Sequence, residues 1–66
     1  MLSFTILRSP KTKRCYVYNK DGLKLAQCDT MNDVLDYFYS WCDALACKSV
    51  IYTQTEDKNV IRVMMD

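Results

Sequence analysis

Only one stretch of this 66-residue chain repeats its apolar residues at helical spacing, and the segments around it alternate like strands. The stretch is "DTMNDVLDYFYSWCDALAC", residues 29–47. Met31, Val34, Leu35, Phe38, Trp41, Cys42 and Leu45 fall on one stripe, with Asp33, Asp36, Tyr37, Ser40 and Asp43 on the opposite side. Thr30 stands where an N-cap belongs, and Asp33 follows three residues later as in a capping box. A lone helix can cover only one face of a sheet, so the other face is expected to stay open.

The flanking segments supply the sheet. "LSFTILR" alternates Leu2, Phe4 and Ile6 against Ser3, Thr5 and Leu7, and "SPKTK" with Pro10 ends it. "KRCYVY" and "LKLAQC" flank "NKDG", and "SVIYTQ" and "NVIRVMM" flank the polar "TEDK". The expected fold is therefore α+β: a single domain over residues 1–66, in the order β-β-β-α-β-β. One antiparallel sheet carries one helix packed on one face. Its expected core is Phe4, Ile6, Val17, Leu25, Val34, Leu35, Phe38, Trp41, Ile61 and Val63.

The hairpin around "NKDG" decides what the open face displays. Gly22 is the only glycine of the chain, which points to a position with positive φ. A type I turn with Gly22 left-handed gives a three-residue loop. That register sets Asn19 opposite Leu23, Val17 opposite Leu25 and Tyr16 opposite Ala26. Cys15, Val17, Leu23 and Leu25 then face the helix, while Arg14, Tyr16, Tyr18, Lys24 and Ala26 face away. A four-residue loop would pair Tyr18 with Leu23 and bring the tyrosines to the leucine side, because a one-residue slip inverts the faces. The three-residue loop is the preferred reading.

Half of the residues are hydrophobic and Gly and Pro occur once each, which argues against disorder. No apolar run nears the roughly 18 residues of a membrane span, and the N-terminal segment alternates rather than forming a cleavable apolar stretch. The expectation is a cytoplasmic protein without a membrane association. A domain this small buries only about 60% of the surface its unfolded chain exposes, so its stability is expected to be marginal. The net charge of +1 hides a split. Residues 1–25 hold six Lys or Arg against one acid, whereas residues 26–57 hold six acids against Lys48. Such a split can steer a partner, and it is also what two ordinary solvated faces look like.

Catalytic signals are absent. The chain has no His, no evident activating neighbour for a Cys nucleophile and no phosphate-cradling glycine loop. The expectation is a non-enzymatic protein with no cofactor. Cys15, Cys28, Cys42 and Cys47 lack the closely spaced ligand pairs of structural zinc sites, so no metal is expected. On a helix continued to residue 47, Cys42 and Cys47 would lie roughly 140° apart. In the preferred register Cys15 and Cys28 face opposite sides of the sheet. The thiols are read as small buried hydrophobes.

The basic hairpin "KRCYVYNKDGLKLAQC" runs into the capped helix "DTMNDVLDYFYSWCDAL" and returns as strands. Over residues 13–63 this pattern resembles the small α/β inhibitors encoded by bacteriophages, including anti-CRISPR and host-polymerase-inhibiting proteins. The resemblance implies stoichiometric binding to a host protein. The order of elements is also similar to that of integrase arm-binding domains, where a three-stranded sheet sits on DNA, although here two further strands follow the helix.

Two sets of candidate partner-binding residues emerge. Arg14, Tyr16, Tyr18 and Lys24 form the outward hairpin surface, with Leu7, Tyr52, Val60 and Met64 as contributors to the same face. Asp33, Asp36, Tyr37 and Asp43 form the acidic helix side. A protein partner is favoured, since Tyr, Arg and Met are enriched in interfaces. A second copy docking through the uncovered sheet face is the homodimer version. Aromatics beside Arg and Lys also resemble a base-stacking platform, which keeps nucleic acid as the alternative partner. Plain cross-strand packing of the tyrosines with Lys24 is the non-functional explanation.

Overall fold

Five strands and one helix follow one another as the sequence indicates: β1 Leu2–Arg8, β2 Cys15–Asn19, β3 Lys24–Cys28, α1 Met31–Ala44, β4 Val50–Gln54 and β5 Val60–Met65. The computed structural model describes residues 2–66. The strands form one antiparallel sheet in the order β3-β2-β1-β5-β4. Strand β1 is central, each hairpin occupies one side of it, and α1 carries the chain from the β3 edge to the β4 edge. Length explains the single crossing. Fourteen helical residues span about 21 Å, and five strands are about 19 Å across between their outer axes.

The helix starts where its cap dictates. Thr30 has an extended backbone, and its Oγ1 accepts the Asp33 N–H at 3.2 Å. It ends three residues earlier than the periodicity indicates. Ala46 turns left-handed at φ 54°, its N–H donates to the Asp43 carbonyl, and the Cys47 N–H donates to the Cys42 carbonyl at 2.8 Å. These two bonds make a Schellman C-cap with alanine where glycine is usual.

The core lies between α1 and the three central strands. Phe4, Ile6, Cys15, Val17, Val34, Phe38, Val63 and Met65 are buried, and Leu25, Trp41 and Ile61 pack half-buried against them. Phe4 meets Phe38 at 5.2 Å and Trp41 at 5.4 Å between ring centroids. Leu35 departs from expectation, remaining 37% exposed at the β4 side of the helix. Tyr37 takes the space instead, half-buried with its ring 5.5 Å from Phe38 and 5.3 Å from Trp41. The buried stripe is thus rotated toward Tyr37, whose ring lies edge-on to Phe38 and tilted against Trp41.

The turn at "NKDG" forms as the three-residue loop requires. Gly22 has φ +86°, its N–H donates to the Asn19 carbonyl, and the Asn19 N–H donates to the Leu23 carbonyl at 3.0 Å. The Asn19 Oδ1 also accepts from Asp21 and Leu23 N–H, each at 2.9 Å, which locks the loop. Beyond Tyr18–Lys24 the ladder shifts: Leu25 is an extra residue, and Val17 pairs with Ala26, Tyr16 with Gln27 and Cys15 with Cys28. The expected pairings of Val17 with Leu25 and Tyr16 with Ala26 are therefore displaced by one on β3. The faces of β2 are unaffected: Cys15 and Val17 are fully buried, while Tyr16 and Tyr18 take the other side. Ala26 turns to the helix side, and Leu23 is largely exposed rather than in the core.

Candidate functional site

Among the described residues no helix or further strand lies over the face of the sheet turned away from α1. Register fixes its rows. Lys24, Tyr18, Thr5, Arg62 and Thr53 lie side by side across all five strands. The next row holds Gln27, Tyr16, Leu7 and Val60. At the far end Ser3, Met64 and Ile51 adjoin. Every charged side chain on these strand positions is a cation. The face is partly apolar, with Leu7 37% exposed beside the half-buried Tyr16 and Met64 38% exposed at the far end. Lys24 places its Nζ 5.8 Å from the Tyr16 ring centroid, within cation–π range.

Arg14 joins this face at its end. It precedes β2, and its Nε lies 3.9 Å from the Asp29 Oδ1, both side chains being exposed. An exposed pair of this kind contributes at most about 1 kcal/mol and leaves the guanidinium free to turn to a partner. Tyr52, expected on this face, lies on the other. It pairs with Val63, and its ring meets Phe38 edge-on at 6.3 Å. Leu7, Val60 and Met64 are where the alternation sets them.

The helix residues form a separate group. Asp33, Asp36 and Asp43 are exposed on α1, across the sheet from Tyr16 and Tyr18. Tyr37 does not share their surface, since it packs toward the core. Burial raises its hydroxyl pKa above the ordinary value, and the nearby Cys28 adds to the rise. The two sets of sequence-derived residues therefore occupy opposite sides of the molecule and cannot act as one site.

A groove absent from the sequence reading runs between α1 and β4. Leu35, Asp36, Tyr39, Cys42, Lys48, Val50 and Tyr52 line about 480 Å³ of open space. The spacing of Leu35 and Tyr39, one helical turn apart, was the available signal.

The cysteines fall into two neighbouring pairs. Cys15 and Cys28 sit opposite each other in the ladder on the covered face, because the bulge at Leu25 reverses the parity expected for Cys28. The Cys42 thiol donates to the Cys47 carbonyl at 3.2 Å, because the helix stops before residue 47 and the C-cap folds the chain back. All four are free thiols. Burial raises the pKa of Cys15, opposed by Arg8; burial also raises Cys28, aided by Asp33, Cys15 and Asp29. Thiols held protonated in this way are poor nucleophiles and poor metal ligands. Among the described residues no cluster of three or more His, Cys, Asp or Glu side chains could hold a metal ion, and no helix is long and apolar enough to cross a membrane.

Against known proteins, the chain matches no family model, no curated protein and no solved structure.

Proposed function

We propose that this protein is a small non-enzymatic binding module that acts by stoichiometric association with another protein. In this reading it inhibits or regulates a host protein in the cytoplasm, as the resembling phage-encoded anti-CRISPR and host-takeover inhibitors do. The observation that carries it is the uncovered face, which Tyr16 and Tyr18 share with Leu7, Val60 and Met64 and with the cations Lys24 and Arg62. Tyrosine gives a large rigid contact at low entropic cost, and arginine adds directional donors. Such an exposed, partly apolar surface is what an interface requires. The helix acids Asp33, Asp36 and Asp43 have the different task of steering a basic partner during approach. Reversing Asp36 and Asp43 to Lys should slow association, and raised salt should mimic the change.

The decisive experiment is capture of partners from the native host by the wild-type protein and by the Tyr16→Ala, Tyr18→Ala double variant. A protein retained by the first and lost by the second supports the reading. A partner retained equally by both removes the sheet face from it.

The row Lys24–Tyr18–Thr5–Arg62 favours a second reading, a single-stranded nucleic acid stacked on the tyrosines. That partner would show steep salt dependence and a similar loss on substituting Lys13, Arg14 or Lys24. The near-balanced net charge favours protein.

A further inference from the structure

The two edges of the sheet are built differently. Strand β3 carries Lys24, the Leu25 bulge and Gln27, all of which discourage another strand from pairing there. Strand β4, "VIYTQ", has no charge, no proline and no bulge in its ladder. Its main chain divides cleanly. The Thr55 N–H donates to the Val60 carbonyl and the Ser49 carbonyl accepts from Asp66, so the odd-numbered residues bond to the β5 side. Alternation in an antiparallel ladder then turns the N–H and C=O groups of Val50, Tyr52 and Gln54 to the free edge.

The side chains around that edge are unusually apolar for an exposed surface. Leu35, Tyr39, Ile51 and Tyr52 are four of the nine large hydrophobic side chains exposed among the described residues, Tyr39 at 75% and Ile51 at 55%. Leu35, Tyr39 and Tyr52 line the groove on the helix side, and Ile51 lies on the open side.

We propose that two copies of this chain join edge to edge through β4, antiparallel about a two-fold axis at Tyr52, to make one continuous ten-stranded sheet. The strand is self-complementary in that register. Tyr52 meets its own copy, Val50 meets Gln54, and Ile51 meets Thr53. All the outward main-chain groups of Val50, Tyr52 and Gln54 then find partners. Just beyond the strand the chain bends out of the ladder at both ends, the Lys48 N–H donating to the Asp66 carbonyl, and the antiparallel arrangement brings the Lys48 bend of each copy beside the Glu56 bend of the other. These are the nearest charges on either side of the strand, and they are of opposite sign. Lys48 also lines the groove with Asp36, which offsets the carboxylate that each copy brings to the junction. A perpendicular two-fold axis keeps both helices on one side of the sheet and both tyrosine faces on the other. This proposal is independent of the partner of the open face.

Sedimentation equilibrium over a concentration series tests it, first on wild type, Lys48→Glu, Glu56→Lys and the double reversal. The expected result is a wild-type dimer whose dissociation constant rises about tenfold in each single variant, the scale of two exposed ion pairs, and recovers in the double variant. An Ile51→Lys, Thr53→Lys variant, which brings four cations together at the axis, should be monomeric with an unchanged circular dichroism spectrum. A wild-type monomer up to about 1 mM overturns the proposal. So does a dimer indifferent to all these substitutions, which would instead place the contact on the open face.

Discussion

The two faces of the sheet use the same strands for opposite ends. On the covered face the inward residues of the central strands are apolar, and Ile6, Val17 and Val63 have no exposed surface. On the open face the same strands alternate Thr5, Leu7, Tyr16, Tyr18 and Arg62, none of them fully buried. One residue along the chain separates a side chain that holds the fold together from one free to meet a partner. The comparison teaches that substitution effects should divide by parity within the middle of β1: Phe4 and Ile6 are about stability, and Thr5 and Leu7 about contact.

The strongest way to break this division is at the centre of the covered face. Phe38→Ala empties a fully buried site touched by Phe4, Tyr37 and Tyr52, and should cost about 3–5 kcal/mol. For a domain this small that is enough to unfold it, which a chemical denaturation curve would show. Leu7→Ala on the open face should cost about 1 kcal/mol or less. Equal losses at the two sites would mean that something covers the open face.

Tyr16→Ala sharpens the contrast from the other side. It should weaken partner binding by about 2 kcal/mol if the ring is a hot spot, while shifting stability far less. A Tyr16→Ala, Tyr18→Ala variant that binds normally but melts early would assign both rings to structure alone.

Alkaline pH is expected to act through the covered face. Burial raises the thiol pKa of Cys15 and Cys28 above the ordinary 9.0, so the folded state holds those protons more tightly than the unfolded one. Their contribution is full below the unfolded value and is lost as pH rises through the folded one. Urea midpoints should stay level through neutral pH and fall above it. Cys15→Ala should make the fall shallower.

The smallest effect concerns neither face. Ala46 holds a left-handed C-cap at φ 54°, and Ala46→Gly should add about 0.5 kcal/mol, the relief of strain less the extra freedom of the unfolded chain. A drop in melting temperature would mean that the alanine methyl makes a contact of its own.

Local chemistry was readable where a single residue dictates it. Asp21-Gly22 specified the hairpin loop and Thr30 the helix start, and the α+β arrangement with one covered face followed from a single amphipathic segment. Parity failed where the signal is spread over several apolar neighbours. Leu23 and Leu25 both look like core, and nothing in the sequence marks Leu25 as a bulge, so alternation alone places Ala26 and Cys28 on the wrong side. The helical spacing puts Leu35 in the stripe and Tyr37 opposite it; what reverses them is the packing of the Tyr37 ring on Phe38 and Trp41, whose own rings meet Phe4 of the sheet. In "VIYTQ" three consecutive apolar residues leave the orientation of Tyr52 open until β5 is placed beside it. The acidic helix and the tyrosine hairpin can be named as surfaces from sequence, and the three-residue loop already sets the two tyrosines on the face turned away from the helix.

The position of β5 between β1 and β4 also governs when this molecule can fold. Strand β1 leaves the ribosome first, yet one of its two neighbours is made only after residues 60–65 have been synthesised. The β2–β3 hairpin and α1 can form beforehand from contacts close in sequence, but they leave one side of β1 unpaired and Phe4 without Val63 beside it. Closing that seam joins residues more than fifty positions apart, such as Thr5 and Arg62. Long-range pairing of this kind is slow relative to helix or hairpin formation. The nascent chain is therefore most exposed to self-association before β5 docks, which makes the timing of that step a point of vulnerability during synthesis.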